Sequence, residues 1–317
     1  MLASALRVSA RRQSSFGAMN VFDREAKRRH RDRWATDPQA EKSDYLKEEV
    51  GYRLADRLFD IKRKLNTVVE LGCGRGYIAQ HLDQEIVENL IMCDMSSKVL
   101  DVARGNDKLN IRKMMVDEEQ PLPFEKDSID AVVSSMNLHW VNNLPGLFCS
   151  VFDVLKPDGV FTGSLLGSDT LYELRGAIQT AENELEGGFG IHVSPFVQAS
   201  DLGGLLRSAG FTMLTLDSDM ICVGYPSMRE LMADLKSMAE NNCVLNRKTH
   251  FHRKTQELAV KKYQELYGDD KGNIRASFHI LSFIGWKPHE SQPKPAKRGS
   301  ATMSLKDLHK LHDKPAE

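Results

Sequence analysis

The chain has 317 residues, 41% hydrophobic and 27% charged, enough to bury a full core as one large domain or two. Its formal net charge of −1 gives no overall pull toward nucleic acid or anionic lipid, so no nucleic-acid partner is expected. The five cysteines (73, 93, 149, 222 and 243) form no C-x-x-C pair, which argues against a zinc site or disulfide framework and for a reducing compartment.

Residues 1–18 carry Arg7, Arg11 and Arg12 among Ser4, Ser9, Ser14 and Ser15, with no acid before Asp23. Leu2 and Leu6 share one helical face and Arg7 with Arg11 another. That composition is a mitochondrial transit peptide; the plainer alternative is a disordered basic start. An N-terminal arm over 19–43 follows, with a basic cluster of Arg24, Lys27, Arg28, Arg29, Arg31 and Arg33 that ends at Trp34. It reads as a solvated arm packing Val21, Phe22 and Trp34 on the domain, in preference to a contact for RNA or lipid. Leu46, Val50, Leu54 and Leu58 then recur every four residues, which predicts a helix over 45–58 covering the sheet.

Val68-Val69-Glu70-Leu71-Gly72-Cys73-Gly74-Arg75-Gly76 is the most informative stretch. A β-branched run predicts a buried strand, and the alternating glycines permit a tight turn against a ligand. Tyr77 to Leu82 resumes helical spacing, so strand, loop and helix N-terminus predict a nucleotide cradle. A dinucleotide fingerprint would place its third glycine at position 77, which is Tyr. Glu70 with Gly72, Gly74 and Gly76 instead resembles motif I of the class I AdoMet-dependent methyltransferases.

Downstream landmarks agree. Leu90 to Cys93 predicts a second strand closed by Asp94, 22 residues after Gly72, where a carboxylate suits two ribose hydroxyls. An alternative for Asp94 is a cap serving Ser96 and Ser97. Met114 to Val116 predicts a third strand ending at Asp117, which with Glu118 is placed near an adenine edge; a surface-turn acid is the competing reading. Ser128 to Ser135 predicts the fourth strand and Lys156 to Phe161 the turn into the fifth. Between them Met136 to Trp140 lies beside the reactive centre, where His139 is the candidate base or orienter and Trp140 a pocket wall. An ordinary half-buried histidine is the alternative, and methyl transfer rests chiefly on alignment.

Past the fifth strand, Asp201 to Ala209 predicts a helix capped by Gly210, then a strand over 211–216. Met228 to Tyr267 has a helical pattern with Leu231, Leu235 and Met238 on one stripe. Ser277 to Ile284 predicts the last strand. The expected architecture is an α/β, doubly wound, mostly parallel seven-stranded sheet spanning 44–287. A helical insertion at about 226–270 precedes the last strand, and a Pro- and Lys-rich tail covers 288–317.

Longer words narrow the resemblance: "SDYLKEEVGYRLADRLFDI" (43–61), "ELGCGRGYIAQHL" (70–82), "SSMNLHWVNNLPG" (134–146), "LKPDGVFTGSLLGSDTLYELR" (155–175), "EGGFGIHVSPF" (186–196) and "IGWKPHESQPKPAKRGSATMSL" (284–305). Together they resemble the mitochondrial complex I assembly factor 5 family, also called the mitochondrial arginine hydroxylase. A more distant likeness is to bacterial malonyl-carrier-protein methyltransferases. The resemblance implies S-adenosyl-L-methionine as cofactor, with Glu70, Gly72, Gly74, Gly76 and Asp94 as contacts. It implies hydroxylation of an arginine in an iron–sulfur subunit of complex I, alongside other assembly factors, in the matrix and peripheral to the inner membrane. The hydroxylation is not visible in the residues. No metal site is expected, since neither His30-Arg31-Asp32 nor His81-Leu82-Asp83 suits a two-His, one-carboxylate centre. An AdoMet-dependent methyltransferase on a protein or carrier-linked carboxylate, and a non-catalytic assembly chaperone, are the alternatives.

Overall fold

The computed structural model describes residues 20–248, 250–293 and 298–300, so the transit-peptide reading of 1–18 and most of the tail lie outside the described residues. In chain order the elements are α1 (Arg24–Thr36), α2 (Tyr45–Phe59), β1 (Leu65–Leu71), β2 (Val87–Asp94), α3 (Ser97–Val102), β3 (Asn110–Met115) and β4 (Ile129–Ser135). Then come α4 (Leu144–Val154), β5 (Leu155–Leu166), α5 (Tyr172–Glu186), α6 (Ala199–Ala209), β6 (Thr212–Tyr225), α7 (Met228–Ser237), α8 (Arg253–Tyr267) and β7 (Ile274–Trp286).

The seven strands form one sheet in the order β3-β2-β1-β4-β5-β7-β6. β1 to β5 pair in parallel, and β7 runs antiparallel between β5 and β6. The chain is therefore the doubly wound α/β fold expected. Strand order reverses between β1 and β4, and the carboxyl ends flanking such a reversal are where open α/β sheets bind ligands. Val68 and Val69 point to opposite faces and both are buried, as a parallel strand covered on each side requires. One core layer sets Leu54, Leu58, Ile78 and Leu82 against Val68 and Leu90. The opposite layer sets Phe148, Val151, Leu202 and Leu206 against Val69, Phe161 and Phe283.

One local expectation fails and two are refined, each for a physical reason. Residues 77–82 form a succession of turns and no helix. Their carbonyls are drawn away: Ala79 O accepts Asn106 N at 3.0 Å, and Leu82 O accepts Asn106 Nδ2 at 3.0 Å. The helical pattern over 228–267 splits into α7 and α8. Ala239, at φ 60°, closes α7 while Glu240 N donates to Leu235 O at 2.8 Å, a left-handed closure without glycine that swings Glu240 inward. Finally, the basic arm is only partly solvated: Arg28, Arg29 and Arg33 are exposed. Phe22 and Trp34 pack on the domain as expected, but α1 also buries Lys27 and Arg31.

Candidate functional site

The glycine loop leaves β1 at the reversal point, and Cys73 N donates to Cys93 O at 2.8 Å, tying it to the end of β2. Gly76 sits at φ 92°, and a Cβ there would lie 1.8 Å from the Arg104 carbonyl oxygen, so only glycine fits. Gly72 meets the Asn137 side chain as closely, which fixes that amide over the loop. Beneath the loop Glu70 is 1% exposed, and its Oε2 has no hydrogen-bond partner. Burial first, and the charge of Asp94 second, push its carboxyl up to about 8.

Asp94 is fully buried and fully engaged. Its Oδ1 accepts Ser96 N at 3.0 Å, and its Oδ2 accepts Gly74 N at 3.3 Å and Arg31 Nη1 at 2.8 Å. Ser96 itself caps α3, its hydroxyl accepting Val99 N. Arg31 Nη2 also donates to Asn137 Oδ1. At the next strand end, Arg24 Nη2 donates to Asp117 Oδ1 and to Glu118 Oε2, both at 2.6 Å. Glu118 is the buried member, 2% exposed, and its other oxygen accepts Asn137 Nδ2 at 2.7 Å. Asp117 is half-buried at the rim. Trp34 completes the cover: its ring reaches within 3.0 Å of where a Cβ on Gly74 would sit, and its Nε1 donates to Asp44 at 2.8 Å.

Glu70, Gly72 and Gly74 line one cavity, while Gly76, Asp94, Asp117 and Glu118 stand outside its lining, and a helix of the same chain lies over it. A cavity of about 20 Å³ remains, lined by Arg31, Trp34, Lys47, Glu70, Gly74 and Ser135. Ligand pockets run from about 300 Å³ upward. The unpartnered Glu70 oxygen suits an ammonium, the bare glycine backbone a close-packed amino-acid moiety, and Asp94 a pair of ribose hydroxyls. The donor set fits a nucleoside carrying an amino acid; the space does not while α1 is seated.

His139 stands behind this cavity. Its Nδ1 accepts Leu166 N at 3.3 Å, so the proton is on Nε2, which lies 3.1 Å from Glu240 Oε2. Trp140 Nε1 donates to the same oxygen at 2.8 Å. Rings of Trp140 and Phe196 pack on His139, and burial pulls its pKa down to about 4. The imidazole is neutral with both nitrogens occupied, a posture that orients neighbours. Glu240 Oε1 meets Lys47 at 3.1 Å and Lys27 at 3.5 Å, while burial draws Lys27 down to about 7. Beyond Glu240 opens an apolar cavity of about 110 Å³, walled by Leu46, Leu174, Ile178, Phe196, Leu235 and Phe278. Glu240 borders the apolar cavity and Lys47 the glycine cradle, so their ion pair is the partition between them.

Among the described residues, no group of three His, Cys, Asp or Glu side chains could hold a metal ion. His30 faces Asn241, Asp32 accepts from the Ser96 hydroxyl, and His81 packs on Tyr52. The sequence reading missed Arg24, Lys27, Arg31, Lys47, Asn137 and Glu240. One signal was there: Arg24, Lys27, Arg31 and Trp34 follow the spacing of a single helix face.

The model of a methyltransferase domain family matches residues 43–216. "Arginine-hydroxylase NDUFAF5, mitochondrial" of Danio rerio is 50% identical, over 94% of this chain and 92% of that protein. Its namesake in Mus musculus is 51% identical, over 93% of this chain and 86% of that protein. Among solved structures, the YcgJ protein of a Bacillus species shares the fold with a TM-score of 0.53 at 14% identity, over 74% of this chain and 98% of that one.

Proposed function

This chain belongs to the family of the mitochondrial arginine hydroxylases named NDUFAF5, built on a methyltransferase domain, and on that premise we propose that it hydroxylates an arginine of a client protein in mitochondria. The observation that carries this reading is identity near one half along almost the whole chain. In this reading the client is an iron–sulfur subunit of complex I, met during assembly together with other assembly factors, in the matrix against the inner membrane. Among the described residues no helix is long and apolar enough to cross a membrane.

The cofactor in this proposal is S-adenosyl-L-methionine. Glu70 receives its ammonium, the backbone of Gly72, Gly74 and Gly76 its amino-acid end, Asp94 its ribose, and Asp117 with Glu118 its adenine edge. When bound, that group would supply a sulfonium charge and an electrophilic methyl carbon, while the oxygen added to the arginine would come from dioxygen with a two-electron reductant as separate co-reactants. The chain's own residues bind, orient and exclude water: Tyr77 walls the cradle, and His139 orients Glu240 at the partition. The apolar cavity accepts the aliphatic stem of the client side chain, since a long cationic side chain buries its methylenes on apolar walls.

A second reading, methyl transfer to a protein or carrier-linked carboxylate, is supported by the cradle, where Glu70 is buried with an unpartnered oxygen and Asp94 is buried at the next strand end. Mass spectrometry of client peptides from mitochondria with and without this protein separates the readings. One added oxygen on an arginine supports the proposal, an added methyl the second reading, and an unchanged peptide contradicts both, leaving an assembly chaperone.

A further inference from the structure

We infer that helix α1 and the nucleoside are alternative occupants of one site, with residues 24–36 acting as a strap that must leave before the cofactor enters. The inference rests on the reading of the cradle as an S-adenosyl-L-methionine site. It goes further by assigning the closed state to the chain's own arginines.

Arg31 and Arg24 hold the carboxylates that the cofactor reading assigns to the nucleoside. Arg31 offers Asp94 Oδ2 the N–H donor at 2.8 Å where a ribose would offer O–H donors, and Arg24 takes Glu118 at 2.6 Å. Trp34 occupies the space over Gly74 that the amino-acid end of the ligand needs. With the helix seated, about 20 Å³ is left. Entry of the nucleoside exchanges one set of donors on these carboxylates for another, so the helix and the ligand compete for the same acceptors.

The seat of the helix is also incompletely satisfied. Seven buried polar atoms of the described residues lack a hydrogen-bond partner: Arg24 Nε, His30 Nδ1, Glu70 Oε2, Arg75 Nε, Ser135 Oγ, Ser164 Oγ and Asn241 Oδ1. All except Ser164 belong to α1, to a residue bonded to it, or to the cavity it closes. Two of these nevertheless sit in ion pairs, Arg75 Nε 3.2 Å from Asp44 Oδ2 and Arg24 Nε 3.8 Å from Glu119 Oε1, so the unpaired atoms at this seat are His30 Nδ1, Glu70 Oε2, Ser135 Oγ and Asn241 Oδ1. The apolar side chains α1 buries are few, Ala26, Trp34 and Ala35, and the rest of its anchorage is ion pairs and hydrogen bonds, Arg24 Nη1 to Trp140 O at 3.3 Å and Lys27 Nζ to Ala239 O at 2.6 Å among them. Both ends are tethered: Val21 and Phe22 N–H groups donate to Asn142 Oδ1 at 2.7 and 2.8 Å, and Asp44 receives Trp34.

Hydrogen exchange on the full chain, with S-adenosylhomocysteine as probe, is the test, with calorimetry of the same probe on wild type, Arg31→Gln and Trp34→Ala. Trp34→Ala clears Gly74 without unpairing Asp94, so a folding defect in Arg31→Gln does not decide the outcome. Expected is faster exchange over 24–36 as 70–76 and 94–96 become protected, and binding tighter by about tenfold or more in Trp34→Ala, because the closed state no longer taxes affinity. Binding by the variants and not by wild type supports the strap equally. Probe bound while 24–36 exchanges unchanged or more slowly overturns the strap and leaves the cradle standing, as does a Trp34→Ala affinity no tighter than wild type. No binding by any of the three proteins overturns the cradle reading and the strap with it.

Discussion

Glu70, at the end of β1, feels the charge of Asp94, at the end of the neighbouring β2, and keeps its own proton: burial and that charge push its carboxyl up to about 8. The two acids divide the labour of the cradle. Asp94 is the charged one, satisfied by Gly74, Ser96 and Arg31, and Glu70 is the neutral one awaiting a cation.

That pairing makes stability depend on pH with a definite sign. The folded Glu70 holds its proton from 4.5, the ordinary value, up to about 8, where the unfolded chain has released it. Its contribution is fully present below about 4.5 and is lost as pH rises through 8. Urea denaturation across that window should show wild type losing up to a few kcal/mol relative to Glu70→Gln. Parallel pH dependences of the two proteins would show that Glu70 is already ionised.

The glycines should separate by neighbour. Gly76→Ala drives a Cβ to 1.8 Å from a backbone carbonyl at φ 92°, which no side-chain shift relieves. A loss of more than about 2 kcal/mol is expected. Gly74→Ala has φ 56° and meets only the movable Trp34 ring, so about 1–2 kcal/mol is expected. Chemical denaturation of both variants checks the order.

Glu240 gathers His139, Trp140, Lys47 and Lys27 into one buried cluster. Glu240→Ala leaves buried cations without their counter-charge and should cost roughly 3–5 kcal/mol, read from the denaturation midpoint. A surface-like loss below about 1 kcal/mol would mean the cluster is solvated.

His139 gives the opposite pH sign to Glu70. Burial lowers it from 6.5 to about 4, so the folded state binds fewer protons between those values. Stability is present above 6.5 and falls as pH drops toward 4, by at most about 3 kcal/mol, and His139→Gln should flatten that limb. Activity between pH 7 and 8 should show no titration from His139, since its imidazole is already neutral there.

The strands and the glycine turn were legible because each is encoded within a few adjacent residues. β-Branched runs mark β1 and β4, and Glu70-Leu71-Gly72 marks the exit from the sheet. The turns over 77–82 were not, because Asn106, far along the chain, takes the carbonyls a helix would need. The role of α1 was hidden for a related reason. Arg24 and Arg31 read as solvated charges until the fold brings Glu118 and Asp94 beneath them from other strand ends. Burial of a charge is a property of its partner, and Glu240 reaches Lys27 and Lys47 only because Ala239 adopts a left-handed turn.

The most direct measurement is a crystal structure of the full chain grown with S-adenosylhomocysteine. The account predicts the ribose on Asp94, the ammonium on Glu70, backbone of 72–76 against the amino-acid end, and α1 withdrawn from Gly74. Nucleoside density elsewhere, or nucleoside density in the cradle with Arg31 and Trp34 still seated there, would contradict it.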